Sequence, residues 1–181
     1  MRIYLRAFEL SDYELISLWR HDCEILSLMS GNHYFVSAER DKKWVEQKIS
    51  DDRTEIYLGI CLKENDCMIG YTSINNLDLR NQKAEWGGTT IGHKDLWGKG
   101  YATEAAQLML TYLFKEYPIN KCQGRCLEEH LVTNKMLESL GFTKDGSFRD
   151  EVYKNGSFHS IALYSILKSE INLQKYYHDN I

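Results

Sequence analysis

At 181 residues, with a formal net charge of −4 and 27% charged residues, the chain has the size and polarity of one soluble globular domain. An acidic balance argues against a nucleic-acid partner, which needs a basic stripe, and no apolar run approaches the roughly 18 residues of a membrane span. Five cysteines (Cys23, Cys61, Cys67, Cys122, Cys126) show no disulfide or zinc spacing, so the expectation is reduced thiols, no metal and a cytoplasmic protein.

In chain order, "IYLRAFEL" reads as a strand. A helix follows, opened by Ser11 with Glu14 as its capping-box partner and with Leu15, Ile16 and Trp19 on its apolar face. The pattern ends near Gly31, and "GNHYFVS" reads as a loop. Ser37 is placed to cap a second helix carrying Trp44, Val45 and Ile49. "EIYLGICL" and "CMIGYTSINNL" are rich in strand formers, and "KEND" between them is a hairpin turn. "KAEWGGTTI" is a further strand. The next helix sets Ala102, Ala105, Ala106, Met109, Leu110, Leu113 and Phe114 on one face, and Pro118 closes it. "KCQGRCL" is a short strand, in which an offset of four holds the two thiols about 13 Å apart, too far for one zinc ion. "VTNKMLESLGF" is a helix stopped by Gly141, and "EVYKNGSFHSIALYSIL" is a hairpin around Lys154-Asn155-Gly156. No linker or repeat divides the chain. The expectation is one α+β domain over residues 1–170, with a mixed, mostly antiparallel sheet flanked by helices, and a tail at 171–181.

Between strand and helix lies "WGKGYA". Two glycines at a helix mouth cost stability unless the backbone needs them, and a strand, glycine loop and helix N-terminus together can hold an anion. A tight turn without a ligand is the plain alternative. A P-loop is excluded because Lys99 is followed by Gly100 and Tyr101 rather than Ser or Thr. A dinucleotide fingerprint normally opens its domain, whereas this loop follows about 90 residues of mixed strands and helices.

"LWGKGYATEAAQLML" resembles the pyrophosphate-binding loop of the GNAT acetyltransferases, Arg/Gln-x-x-Gly-x-Gly/Ala, with Trp97, Gly100 and Ala102 at the first, fourth and sixth positions. Tryptophan departs from the general pattern but is familiar in the branch similar to RimJ/RimL ribosomal-protein and spermidine acetyltransferases. "LRAFELSD", "MIGYTSINNLDLRNQKAEWGGTTIG", "TNKMLESLGF" and "YKNGSFHSIALYSIL" resemble further segments of that branch in the right order. The resemblance implies acetyl-CoA as cofactor. Trp97, Gly98, Lys99, Gly100, Tyr101, Ala102 and Thr103 would form the pyrophosphate site. Backbone groups of Thr90, Ile91 and Gly92 would hold pantetheine on a strand splayed from its neighbour by a bulge. His130 replaces the family's cofactor-holding asparagine, and Asn134 is the other candidate on that helix.

Acetyl transfer needs a neutral amine, so a base is expected. Glu85 is the first candidate and Glu151 the second, the alternative for Glu85 being a solvated strand carboxylate. Thr133 is the candidate general acid, because the family's tyrosine position holds Leu137. Trp19, Tyr34, Phe35, Asn76 and Trp86 mark the expected substrate mouth, although such aromatic groups are more often core. The reading is an N-acetyltransferase acting by direct ternary-complex transfer on a small-molecule amine or a protein N-terminus. The rival, motivated by Leu137 and His130, is a degenerate acetyl-CoA-binding sensor or assembly module. A homodimer is among the assemblies the resemblance allows.

Overall fold

Among the described residues, seven strands form one sheet in the order β1-β2-β3-β4-β5-β7-β6. They are β1 (Ile3–Ala7), β2 (Ile56–Leu62), β3 (Met68–Asp78), β4 (Lys83–Ile91), β5 (Lys121–Leu127), β6 (Thr143–Lys154) and β7 (Ser157–Leu167). The helices are α1 (Tyr13–His21), α2 (Cys23–Leu28), α3 (Ala38–Ser50), α4 (Tyr101–Glu116) and α5 (Leu131–Ser139). The computed structural model describes residues 1–31, 34–50 and 53–171. From residue 172 on, the expected tail lies outside the described residues. None of the helices among the described residues is long and apolar enough to cross a membrane.

Neighbouring strands are antiparallel except β4 and β5, which run parallel. On one face, Ile3, Ile60, Ile69 and Ile91 pack on Ala105 and Leu108 of α4, while Ile74, Ala84 and Trp86 meet Met109 and Leu113. On the other, Phe8, Cys61, Met68 and Tyr71 pack on Ile16, Trp19 and Val45 from α1 and α3. Both faces are thus covered near β1–β3, and both helix layers are amphipathic as the sequence periodicity requires.

Several local signals are met. Ser37 Oγ accepts the Arg40 amide at 3.2 Å, Gly141 takes φ +94° at the end of α5, and Asn155 and Gly156 turn the last hairpin at φ +51° and +82°. Two expectations change. The first long helix is broken at Asp22, whose extended backbone (ψ 113°) and carboxylate cap α2 through the amides of Glu24 and Ile25. The Ser11–Glu14 box is not formed, because Asp12 accepts the Glu9 amide at 2.8 Å and is held by Arg6 at 2.7 Å, starting a 3-10 turn one residue before Ser11.

The feature that positions the site is a bulge in β4. Ser73 pairs with Gly88 and Ile74 with Trp86, leaving Gly87 as the extra residue. A larger residue there would displace the side chains beside it, since a Cβ would lie 2.2 Å from Ser73 Oγ and 2.4 Å from Asn75 Nδ2. Pairing between β4 and β5 runs from Lys83–Lys121 to Trp86–Gly124 and then stops. Beyond that point the two strands diverge.

Candidate active site

The glycine loop has the backbone of an anion cradle. Gly98 and Gly100 adopt φ +72° and +87°, and a Cβ at Gly98 would meet nothing within 4 Å. The Glu104 amide bonds to Gly100 O at 3.1 Å, so the amides of Tyr101, Ala102 and Thr103 precede the helix's own bonding. Lys99 is exposed beside them. Arg2 completes the loop: Nη2 donates to Lys99 O at 2.9 Å, and the guanidinium lies 4.0 Å from the Tyr101 ring centroid. Nothing in the sequence pattern points to Arg2, which meets the loop only through the fold. Trp97 supports the loop from within: its half-buried indole donates to Ile91 O at 2.7 Å, so the ring props the strand-to-loop turn.

On β4, the Gly92 amide donates to Ile69 O at 2.8 Å. In an antiparallel ladder the next groups turned toward β3 are those of Thr90, so Thr89 and Ile91 face the gap left by β5. Ile91 O is already taken by Trp97. The groups open to a pantetheine arm are therefore those of Thr89 and the Ile91 amide, which corrects Thr90 and Gly92. Gly92 has a packing duty instead, because a Cβ there would lie 2.0 Å from Trp19 Cε2.

The diverging strands open on a cavity of about 380 Å³. Gly87–Thr90 of β4 and Arg125–Leu127 of β5 line one side, with His130, Thr133 and Met136 beside them. Met29–Gly31 after α2, together with Arg20, Trp44, Tyr57 and Tyr71, line the other. Burial pushes the Tyr57 and Tyr71 phenols up, so both present neutral hydroxyls. His130 Nδ1 accepts the Thr133 amide at 3.1 Å, which caps α5 and leaves the ring proton on Nε2. Cys126 also lines the cavity, but burial pushes its thiol up to about 11, the wrong direction for a nucleophile.

A family model described as "Acetyltransferase (GNAT) domain" matches residues 2–143. The chain belongs to that family. As a GNAT member it is an acetyltransferase enzyme. Over 170 residues it is 31% identical to the uncharacterized N-acetyltransferase p20 of Bacillus licheniformis, covering 93% of this chain and 94% of the relative. It is 35% identical over 106 residues to the putative ribosomal N-acetyltransferase YdaF of Bacillus subtilis, covering 57% of this chain and 55% of that one. Its fold matches that of the spermidine N-acetyltransferase from Vibrio cholerae, solved with CoA and spermine, at TM-score 0.85 and 22% identity over 93% of this chain and 97% of the other. The residues present fit the family's cofactor, acetyl-CoA: positive-φ glycines with room above them face a helix N-terminus, and a splayed strand pair continues from them.

Within this GNAT frame the expected residues divide. Thr133 and His130 sit at the cavity as expected. Asn134 does not: it is 9% exposed, its amide nitrogen donates to the Leu127, Glu128 and His130 carbonyls, and Tyr164 donates to its oxygen at 2.8 Å. That side chain holds α5 to the sheet and has nothing left for a cofactor. Glu85 and Glu151 do not line the cavity. Glu85 accepts Asn76 Nδ2 at 3.1 Å, and Glu151 pairs with Arg125 at 3.0 Å. Of the expected substrate residues, only Trp86 lines the cavity, buried and donating to Thr72 Oγ1 at 3.3 Å. Trp19 is core, 6% exposed and stacked on Tyr71. Asn76 is spent on Glu85, and Tyr34 and Phe35 are exposed without lining the cavity, while Asn32 and His33 of the same loop lie outside the described residues. Arg20, Tyr57, Tyr71 and Arg125 reach the cavity without a motif to announce them.

Proposed function

We propose that the protein transfers the acetyl group of acetyl-CoA directly to a primary amine within a ternary complex. The observation that carries this reading is the gap between β4 and β5, which begins at the Gly87 bulge and opens on a cavity lined from both sides. When bound, acetyl-CoA supplies an activated thioester. Backbone groups of Thr89 and Ile91 extend the sheet onto its amide-containing arm, and the 98–103 amides receive its pyrophosphate.

The amine nitrogen forms the new bond to the acetyl carbon as the carbon–sulfur bond breaks, and the proton it loses passes to solvent or to the departing sulfur. The amine must arrive neutral, although an alkylammonium with a pKa near 10 is mostly charged at pH 7. With no carboxylate among the described residues that line the cavity, Glu85 on β4 would act from outside it, through water. His130 Nε2–H and the Thr133 hydroxyl, which both line the cavity, would donate to the oxygen and sulfur of the thioester. Trp97 at the first loop position and the YdaF relative support the RimJ/RimL-like branch.

A panel of amines, including polyamines, amino sugars and N-terminal peptides, assayed for CoA thiol release tests the reading. Acetyl-CoA binding without turnover on any amine would favour the sensor or assembly module.

A further inference from the structure

The cavity has an unusual charge character for an amine acceptor. Among the described residues its lining holds two guanidinium groups, Arg20 and Arg125, and no carboxylate. Arg125 is at the rim, tied to Glu151 at 3.0 Å. Arg20 stands on the acceptor wall with Trp44, Tyr57 and Tyr71. Its Nη1 reaches Asp41 Oδ1 at 3.1 Å, and its guanidinium lies 4.8 Å from the Trp44 ring centroid. Asp41 is 0% exposed, so its charge holds Arg20 from behind and is not offered to the cavity. Among the described residues no hydrogen bond occupies Nε or Nη2 of Arg20, and Nη1 makes none of good geometry.

A guanidinium held between a buried carboxylate and an aromatic ring, with donors to spare, matches the two oxygens of a carboxylate or phosphate. A polyamine would bring several positive charges to a wall where no described residue offers an acid, a desolvation cost without compensation. We infer that the acceptor is a small amine that also carries a carboxylate or phosphate. Arg20 binds that anion and directs the amino group toward the β4 bulge. This rests on the acetyltransferase reading.

The test measures kcat/KM at saturating acetyl-CoA for matched pairs: β-alanine against β-alaninamide, and phosphoethanolamine against ethanolamine, with spermidine alongside. The anionic member of at least one pair should lead its neutral partner by about 10–100-fold, the range of a charged hydrogen-bonded contact. The pair that responds identifies carboxylate or phosphate. In Arg20→Gln that ratio should fall to within about 3-fold through a raised KM, and Arg20→Lys should keep part of it. Because each ratio is taken on one preparation, partial unfolding cancels. Equal rates within both pairs, a lead for spermidine, or an Arg20→Gln ratio unchanged from wild type would overturn the proposal alone. No acetylation of any amine while calorimetry still shows acetyl-CoA binding would instead overturn the transferase reading beneath it.

Discussion

Lys154 Nζ donates to Leu26 O at 2.9 Å, joining the β6–β7 hairpin to the end of α2. The same ammonium donates to the carbonyls of Ser27, at 3.1 Å, and Met29. Lys154 is 3% exposed, and burial pushes its ammonium below the usual lysine range. Three carbonyl oxygens at a helix C-terminus offset that cost. These bonds also anchor Leu26 and Met29, which line the cavity.

Lys154→Met keeps the stem and removes the donors. It should lower unfolding free energy by about 1–3 kcal/mol, the range of hydrogen bonds to a charged group. Acceptor KM should rise as well, because the cavity wall loses its anchor. Urea denaturation and steady-state kinetics check both, and wild-type values in each would remove the tether from the account.

Gly100→Val should abolish acetyl-CoA binding while leaving a folded protein. A Cβ there would meet only Arg2 Nη2 at 3.5 Å, so the protein interior tolerates it. The φ of +87° disfavours a β-branched residue, and the side chain would stand over the helix-mouth amides. Calorimetric titration of a variant with native circular dichroism decides it. Unchanged affinity would sink the loop assignment.

His21 should make stability depend on pH. Its Nδ1 lies 2.6 Å from Ser17 O and its Nε2 2.6 Å from Val36 O, so both ring nitrogens must donate and the ring must be cationic. Those two carbonyls raise its pKa above the ordinary 6.5, with Asp41 at 4.0 Å adding to the effect and Arg20 opposing it. A raised folded-state pKa contributes stability that is complete below the unfolded value and is lost as pH climbs through the folded one. Wild type should therefore exceed His21→Gln most at pH 5.5, with the gap closing by pH 9. Thermal unfolding across that range reads it directly, and a constant gap would mean that His21 acts by packing alone.

Glu85→Gln should lower kcat by about 10²-fold if the β4 carboxylate takes the amine's proton through water, the low end for a general base. The deficit should shrink as pH approaches the amine's own pKa, where solvent supplies the neutral nucleophile. Glu151→Gln should instead release Arg125 from its 3.0 Å pair and alter KM more than kcat. pH–rate profiles of the two variants against one good acceptor separate these roles. A loss from Glu85→Gln that is uniform across pH would assign that residue to strand support.

Features that need only a few adjacent residues were legible in the chain: the left-handed Gly98 and Gly100, the Ser37 cap, the Gly141 stop and the Asn155-Gly156 turn. Their conformations follow from local sterics and local donors, and strand and helix periodicity carried the α+β class, while the family came from the resemblance of the motif segments to known acetyltransferases. The cavity's side chains followed a different logic. Whether Trp19 packs under Gly92, Asn134 turns inward to Tyr164, Trp97 bonds Ile91, or Arg20 lines the cavity depends on which surfaces the sheet brings together. The glycine-loop motif and its resemblance to known acetyltransferases pointed to acetyl-CoA. Side-chain orientation and charge around the cavity were set by contacts between distant segments, which no local pattern encodes.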